Sequence, residues 1–163
     1  MKVTHSIMVA LYLLILSPLC LADGSAKFHG KLTEVPCKVN GDQKIEFDFG
    51  RVGINKIDGA SQWVTQKIGI TCDQDIPTAN LTLQVTGTPV SPGKSNILDT
   101  PVDNLGIAIV NGDDDSKIEL NKPIIFTKNQ LFPLKAILTK DDNSKPVAAG
   151  ILNKSTTVIA SYE

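Results

Sequence analysis

The sequence predicts an all-β fold, an antiparallel β-sandwich of immunoglobulin-like type. Apolar and polar residues alternate through six or seven short stretches, and clusters of Gly, Pro, Asn and Asp separate them. No stretch shows the 3.6-residue apolar period with caps that an amphipathic helix needs. At 163 residues, with 16 basic against 17 acidic side chains and 42% hydrophobic content, the chain has the makings of one small globular domain. It is not basic enough to bind nucleic acid.

The first segment stands outside that domain. Lys2 and His5 precede an apolar run from Ile7 to Leu16, then Ser17-Pro18 and Leu19-Cys20-Leu21-Ala22, with a small residue just before Asp23. Residues 1–22 therefore read as a cleaved secretory signal. The run is too short for a spanning helix, which takes about 20 apolar residues, and Leu19 is too bulky to precede a lipidated cysteine. Cleavage leaves 141 residues and removes Lys2 and Cys20, giving a mature net charge near minus two. The two remaining cysteines, Cys37 and Cys72, lie in an exported and oxidising compartment, where they are expected to pair.

Along the mature chain, Ile45, Phe47 and Phe49 alternate with Lys44, Glu46 and Asp48, the pattern of a strand buried on one face. Val64, Ile68, Ile70 and Cys72 repeat the period, as do Leu81, Leu83 and Val85 before Gly87. Leu105 to Val110 is a short apolar run ending at Asn111-Gly112, a two-residue hairpin signal, with Ile118 and Leu120 on the return. Phe132, Leu134, Ala136 and Leu138 alternate again, and Pro133 points to an edge strand or a bulge there. Thr88 to Gly93 and Lys140 to Pro146 read as loops. In the last stretch Thr156, Val158, Ala160 and Tyr162 share one face, and the sequence stops at Glu163 with no later segment to pair with it. Such a strand has an edge that calls for a partner from elsewhere.

These residues carry a family resemblance. Phe28-His29-Gly30-Lys31-Leu32 shortly before Cys37, Phe47-Asp48-Phe49-Gly50, Ile68-Gly69-Ile70-Thr71-Cys72, Leu83-Gln84-Val85-Thr86-Gly87, Asn96-Ile97-Leu98 and Leu105-Gly106-Ile107-Ala108 occur in that order. Tyr162 is penultimate, and Gly150 is fourteenth from the end. With them the chain resembles subunits of the chaperone/usher class of bacterial fimbriae, above all the minor tip-fibrillum and adaptor pilins of P-type and type 1 pili. The resemblance covers essentially the whole mature chain.

It implies an immunoglobulin-like sandwich lacking its final strand and completed by donor-strand complementation. A periplasmic chaperone would fill the open groove first. At the outer-membrane usher, a neighbouring subunit's N-terminal extension would then replace the chaperone's strand, on the way to the cell-surface fimbrium. Residues 23–35 would be this chain's own extension, with Phe28, Gly30 and Leu32 on the inserted face and Gly30 setting the register; Glu34, next on that face, fills an apolar pocket poorly. Residues 36–163 would be the pilin domain, with Gly150, Thr156, Val158, Ala160, Tyr162 and Glu163 at the acceptor groove. The resemblance favours an adaptor; a major rod pilin and a receptor-binding tip adhesin are the alternatives, the latter disfavoured because 141 residues leave no room for a lectin domain.

An enzyme is not expected. His29 is the only histidine after residue 22, so no Ser-His-Asp or Cys-His set can be assembled. Asp113-Asp114-Asp115 lacks the spaced ligands and later glutamate of a calcium loop. Trp63 reads as rim packing rather than a sugar platform. No cofactor, metal or small-molecule substrate is implied.

Overall fold

A computed structural model describes residues 27, 29, 35–74, 80–127 and 130–162 of the chain. Phe28, Gly30, Leu32 and Glu163 lie outside the described residues. The unit from Glu34 to Glu163 carries nine strands among those residues: β1 (Cys37–Val39), β2 (Trp63–Ile68), β3 (Ile70–Cys72), β4 (Leu81–Val85), β5 (Ile97–Asp99), β6 (Leu105–Asn111), β7 (Ile124–Phe126), β8 (Phe132–Lys140) and β9 (Val158–Tyr162). They build a four-stranded sheet in the order β2-β8-β6-β5, a three-stranded sheet in the order β7-β4-β9, and the small ladder β1-β3.

All registered pairings are antiparallel, and alternation decides which face of each strand turns inward. Leu105, Ile107 and Ile109 of β6 and Leu134, Ala136 and Leu138 of β8 meet Val85 of β4 in one buried cluster. Leu81, Leu83 and Phe126 form a second, beside the Cys37–Cys72 disulfide. The phenyl rings of Phe126 and Phe132 stand 5.9 Å apart and tilted at 58°, a favourable aromatic arrangement. The two cysteines are directly opposed in the β1-β3 ladder, so the covalent link and the hydrogen-bonded register reinforce each other.

Three expectations are corrected by this architecture. The stretch around Phe47 keeps its alternation, with Ile45, Phe47 and Phe49 half-buried, yet joins no sheet among the described residues. Asn111-Gly112 does not make a two-residue hairpin. Asp115 N–H donates to the Asn111 carbonyl, the left-handed residue is Asp115 rather than Gly112, and the return touches β6 at the single bridge Val110–Lys117. Ile118 and Leu120 are buried all the same. Pro133 sits in neither an edge strand nor a bulge. β8 is interior, and near its end Pro133 needs only its carbonyl, which accepts from Gly112 N–H at 2.7 Å.

Candidate functional site: an open groove beside the last strand

Among the described residues the sandwich is open along one side. Its floor is the inner face of the four-stranded sheet, with Ile107, Ile109, Leu134 and Ala136 at the bottom, and its volume is about 1370 Å3. One wall is the stretch 43–52. Ile45, Phe47, Phe49 and Val52 rest on the core from that side, while Lys44, Glu46 and Asp48 point to solvent. The other wall is 148–157, which continues into β9.

Among the described residues neither 43–52 nor 148–157 joins a sheet, and only the first has a pattern visible in its sequence. Alternation in 43–49 supplies an apolar face, and the link to β2 is a side-chain bond, Gln66 Nε2 to the Glu46 carbonyl at 2.7 Å. β9 is paired with β4 along one edge from Leu81–Tyr162 to Val85–Val158, and its other edge borders the groove. Val158, Ala160 and Tyr162 are half-buried on the inner face, whereas Ile159 and Ser161 are exposed outside.

Thr156 and Gly150 lie upstream of β9. Thr156 is exposed, and its hydroxyl donates to the Thr86 carbonyl; Gly150 is exposed too and lies near Val102, which also lines the groove. Val158, Ala160, Thr156 and Gly150 thus all border one groove, with Tyr162 on the same inner face of β9. Lys27 and His29, the described residues of the N-terminal segment, are exposed.

Sequence reasoning missed three parts of the site. The wall at 148–157 has no strand pattern to find. Lys154 on that wall forms an ion pair with Asp99 of β5 at 2.6 Å, and nothing local signals it across 55 positions. Asn104, at a φ of 57°, holds the loop that leads into the wall.

Charges near the groove are mostly solvated. Lys44 pairs with Glu46 at 2.7 Å, and the Asp48 carboxylate accepts from Gly50 N–H at 2.8 Å. In the loop before the wall, hydrogen bonds from Lys94 and then Ser91 hold the Asp141 carboxyl below the usual carboxylate range, and Ser144 does the same for Asp142. Among the described residues no group of three or more His, Cys, Asp and Glu side chains could hold a metal ion. The arrangement offers apolar pockets and strand edges, the features to which an extended polypeptide segment is complementary.

Comparison with known proteins places the fold. The family description "Fimbrial protein" matches residues 26–163. The chain belongs to the fimbrial protein family. This fimbrial protein is 33% identical over 100 residues to the minor fimbrial protein PrsF and to the fimbrial adapter PapF, both of Escherichia coli. Those matches cover 61% of the chain but 59% of each relative's length. The solved structure of PapF, described as the P pilus adaptor subunit, superposes with a TM-score of 0.52 at 27% identity, covering 78% of this chain and 94% of that one. The P pilus rod subunit PapA shares the fold with a TM-score of 0.58 at 18% identity, covering 85% and 100%. The fold is thus the incomplete immunoglobulin-like sandwich of structural pilins.

Proposed function

We propose that this chain is a structural subunit of a chaperone/usher-assembled fimbria, at an adaptor position, and that its groove accepts one extended strand from a neighbouring subunit. The observation that carries the reading is the groove itself. Two walls, 43–52 and 148–160, lie either side of an apolar floor, with the edge of β9 that faces away from β4 along one of them. A single inserted strand satisfies both needs. Its main chain pairs with the edge, and its alternate side chains fill the floor.

The segment 23–35 is the matching donor for a second subunit, with Phe28, Gly30 and Leu32 on its inserted face. Acceptance at one place and donation from another do not close on themselves, so such contacts propagate a fibre. A periplasmic chaperone that lends a temporary strand and an outer-membrane usher that exchanges it complete the route to the cell surface. Similarity to PapF and PrsF supports the adaptor position over the rod.

The test is thermal unfolding of residues 23–163, alone and with a strand copied from residues 26–34 linked after Glu163, as such and as Glu34→Leu. Burying two or three apolar side chains contributes on the order of 5 kcal/mol, so a linked strand should raise Tm by about 10–20 °C and sharpen the transition. A bare chain that already unfolds cooperatively, unchanged by either strand, would refute the proposal.

A further inference from the structure

We propose that Asn104 is the positioning residue of the groove, setting where the wall 148–157 begins and thereby how firmly a strand is held. This rests on the strand-accepting reading above. Asn104 never reaches the occupant; it acts through the loop that follows β8.

The geometry is specific. Asn104 lies between Val102 and Leu105, both of which line the groove. Its Nδ2 lies 3.0, 2.9 and 3.2 Å from the carbonyls of Asp142, Lys145 and Pro146, and its Oδ1 accepts from Asp142 N–H at 2.7 Å. Main-chain bonds flank the side chain. Asp141 N–H donates to the Asn104 carbonyl at 3.3 Å, and Ala148 N–H donates to the Asp103 carbonyl at 3.2 Å. One turn thus grips the loop from Asp141 to Ala148. Val147, directly before the wall, is buried in the core, and Gly150 lies close enough to Val102 that a Cβ there would stand 3.4 Å from its Cγ2.

From Ala148 to Thr157 the chain lies in no strand, so where the loop is fixed decides where the wall stands. Only an amide offers both the donors and the acceptor this loop requires, at a left-handed position that Asn tolerates better than most residues. An aspartate of the same shape would turn a carboxylate oxygen toward three carbonyls.

The experiment follows a fluorescent peptide of sequence 26–34, or its Glu34→Leu version, refolded with the mature chain, and measures its dissociation rate beside the Tm of the complex. Asn104→Asp and Asn104→Gly are compared with Ile118→Val, a buried substitution away from the groove. Asn104→Gly keeps the left-handed turn and carries the test if the aspartate variant does not fold. The expected result is release at least tenfold faster in the Asn104 variants, against less than threefold for Ile118→Val at a comparable fall in Tm. Release that merely tracks Tm across all variants, or is unchanged in the Asn104 variants, overturns the positioning role alone. Failure of the unmodified chain to hold either peptide overturns the strand-accepting reading, and this role with it.

Discussion

Lys154 and Asp99 meet at 2.6 Å, the lysine on the irregular wall of the groove and the aspartate at the end of β5. Both side chains are partly exposed, at 24% and 38%, so the pair is neither buried enough to carry a large desolvation cost nor free enough to be fully screened. Lys154→Met keeps most of the aliphatic stem and removes the charge. We expect it to cost about 0.5–1 kcal/mol at low ionic strength, shrinking towards zero in 1 M salt. Urea unfolding of the strand-linked chain at two salt concentrations checks both the loss and its salt dependence.

Ala160 tests the groove from its β9 side. It is half-buried on the inner face of β9, directly opposite Leu83 of β4 in the register. A carboxylate there would enter the apolar groove unpaired, a cost of several kcal/mol. Ala160→Asp should abolish peptide capture, whereas Ser161→Asp, on the exposed outer face, should leave it nearly intact. Fluorescence anisotropy with the labelled strand separates the two.

The disulfide closes a loop with a sequence separation of 35 residues. On the chain-entropy estimate that closure contributes roughly 3–4 kcal/mol. The Cys37→Ser, Cys72→Ser double variant should therefore lose roughly 3–4 kcal/mol of the stability of the strand-linked chain, measured by urea midpoint against the oxidised parent. A midpoint that barely moves would show that the β1-β3 ladder holds its register without the covalent link.

Acid should weaken the fold in a defined window. Main-chain and hydroxyl hydrogen bonds from Ser61, with Ala60 N–H, hold Asp58 down to about 2, and Lys94 with Ser91 lowers Asp141. A carboxyl whose folded pKa lies below its unfolded value of about 4 binds its proton more readily in the unfolded chain. Its contribution is complete above about pH 4 and disappears as the pH falls towards 2. Asp58→Asn should flatten part of the drop between pH 5 and 2.5 in a urea titration series.

Gly106 is a packing prediction. A Cβ there would sit 2.4 Å from Ile97 Cγ2 and 3.4 Å from the Leu98 carbonyl oxygen. The β-branched Ile97 has little rotamer freedom with which to yield. Gly106→Ala should cost about 1–3 kcal/mol through overpacking, read as a lowered urea midpoint with an unchanged slope.

The sequence made some of this legible for physical reasons. Alternation in Leu81–Val85 and Phe132–Leu138 picks out the core-facing side chains Leu81, Leu83, Val85, Leu134, Ala136 and Leu138, because a strand's faces repeat every two residues; that Thr82 and Ile137 on the other faces are buried as well is not in the pattern. The same signal at Ile45, Phe47 and Phe49 marked a strand, but hydrogen-bonded pairing depends on a neighbour that local sequence does not contain. Asn111-Gly112 misled because the turn chemistry was taken up by Asp115, four residues beyond the first. The second wall was invisible: Ala148 to Thr157 has no period, and its anchors, Asn104 and Asp99, lie some forty to sixty positions upstream.

Ile109 and Leu134 illustrate what an open floor means for change over time. Both are almost fully buried members of the core, and both line the groove. A side chain in that position has two masters, since altering its volume perturbs the domain's own packing and the fit of whatever lies above it. Drift at such sites is therefore constrained twice over. On the strand-accepting proposal, a substitution tolerated by the fold still demands a compensating change in the inserted strand's own subunit, so these positions should diverge in step with the neighbour rather than with the rest of the chain.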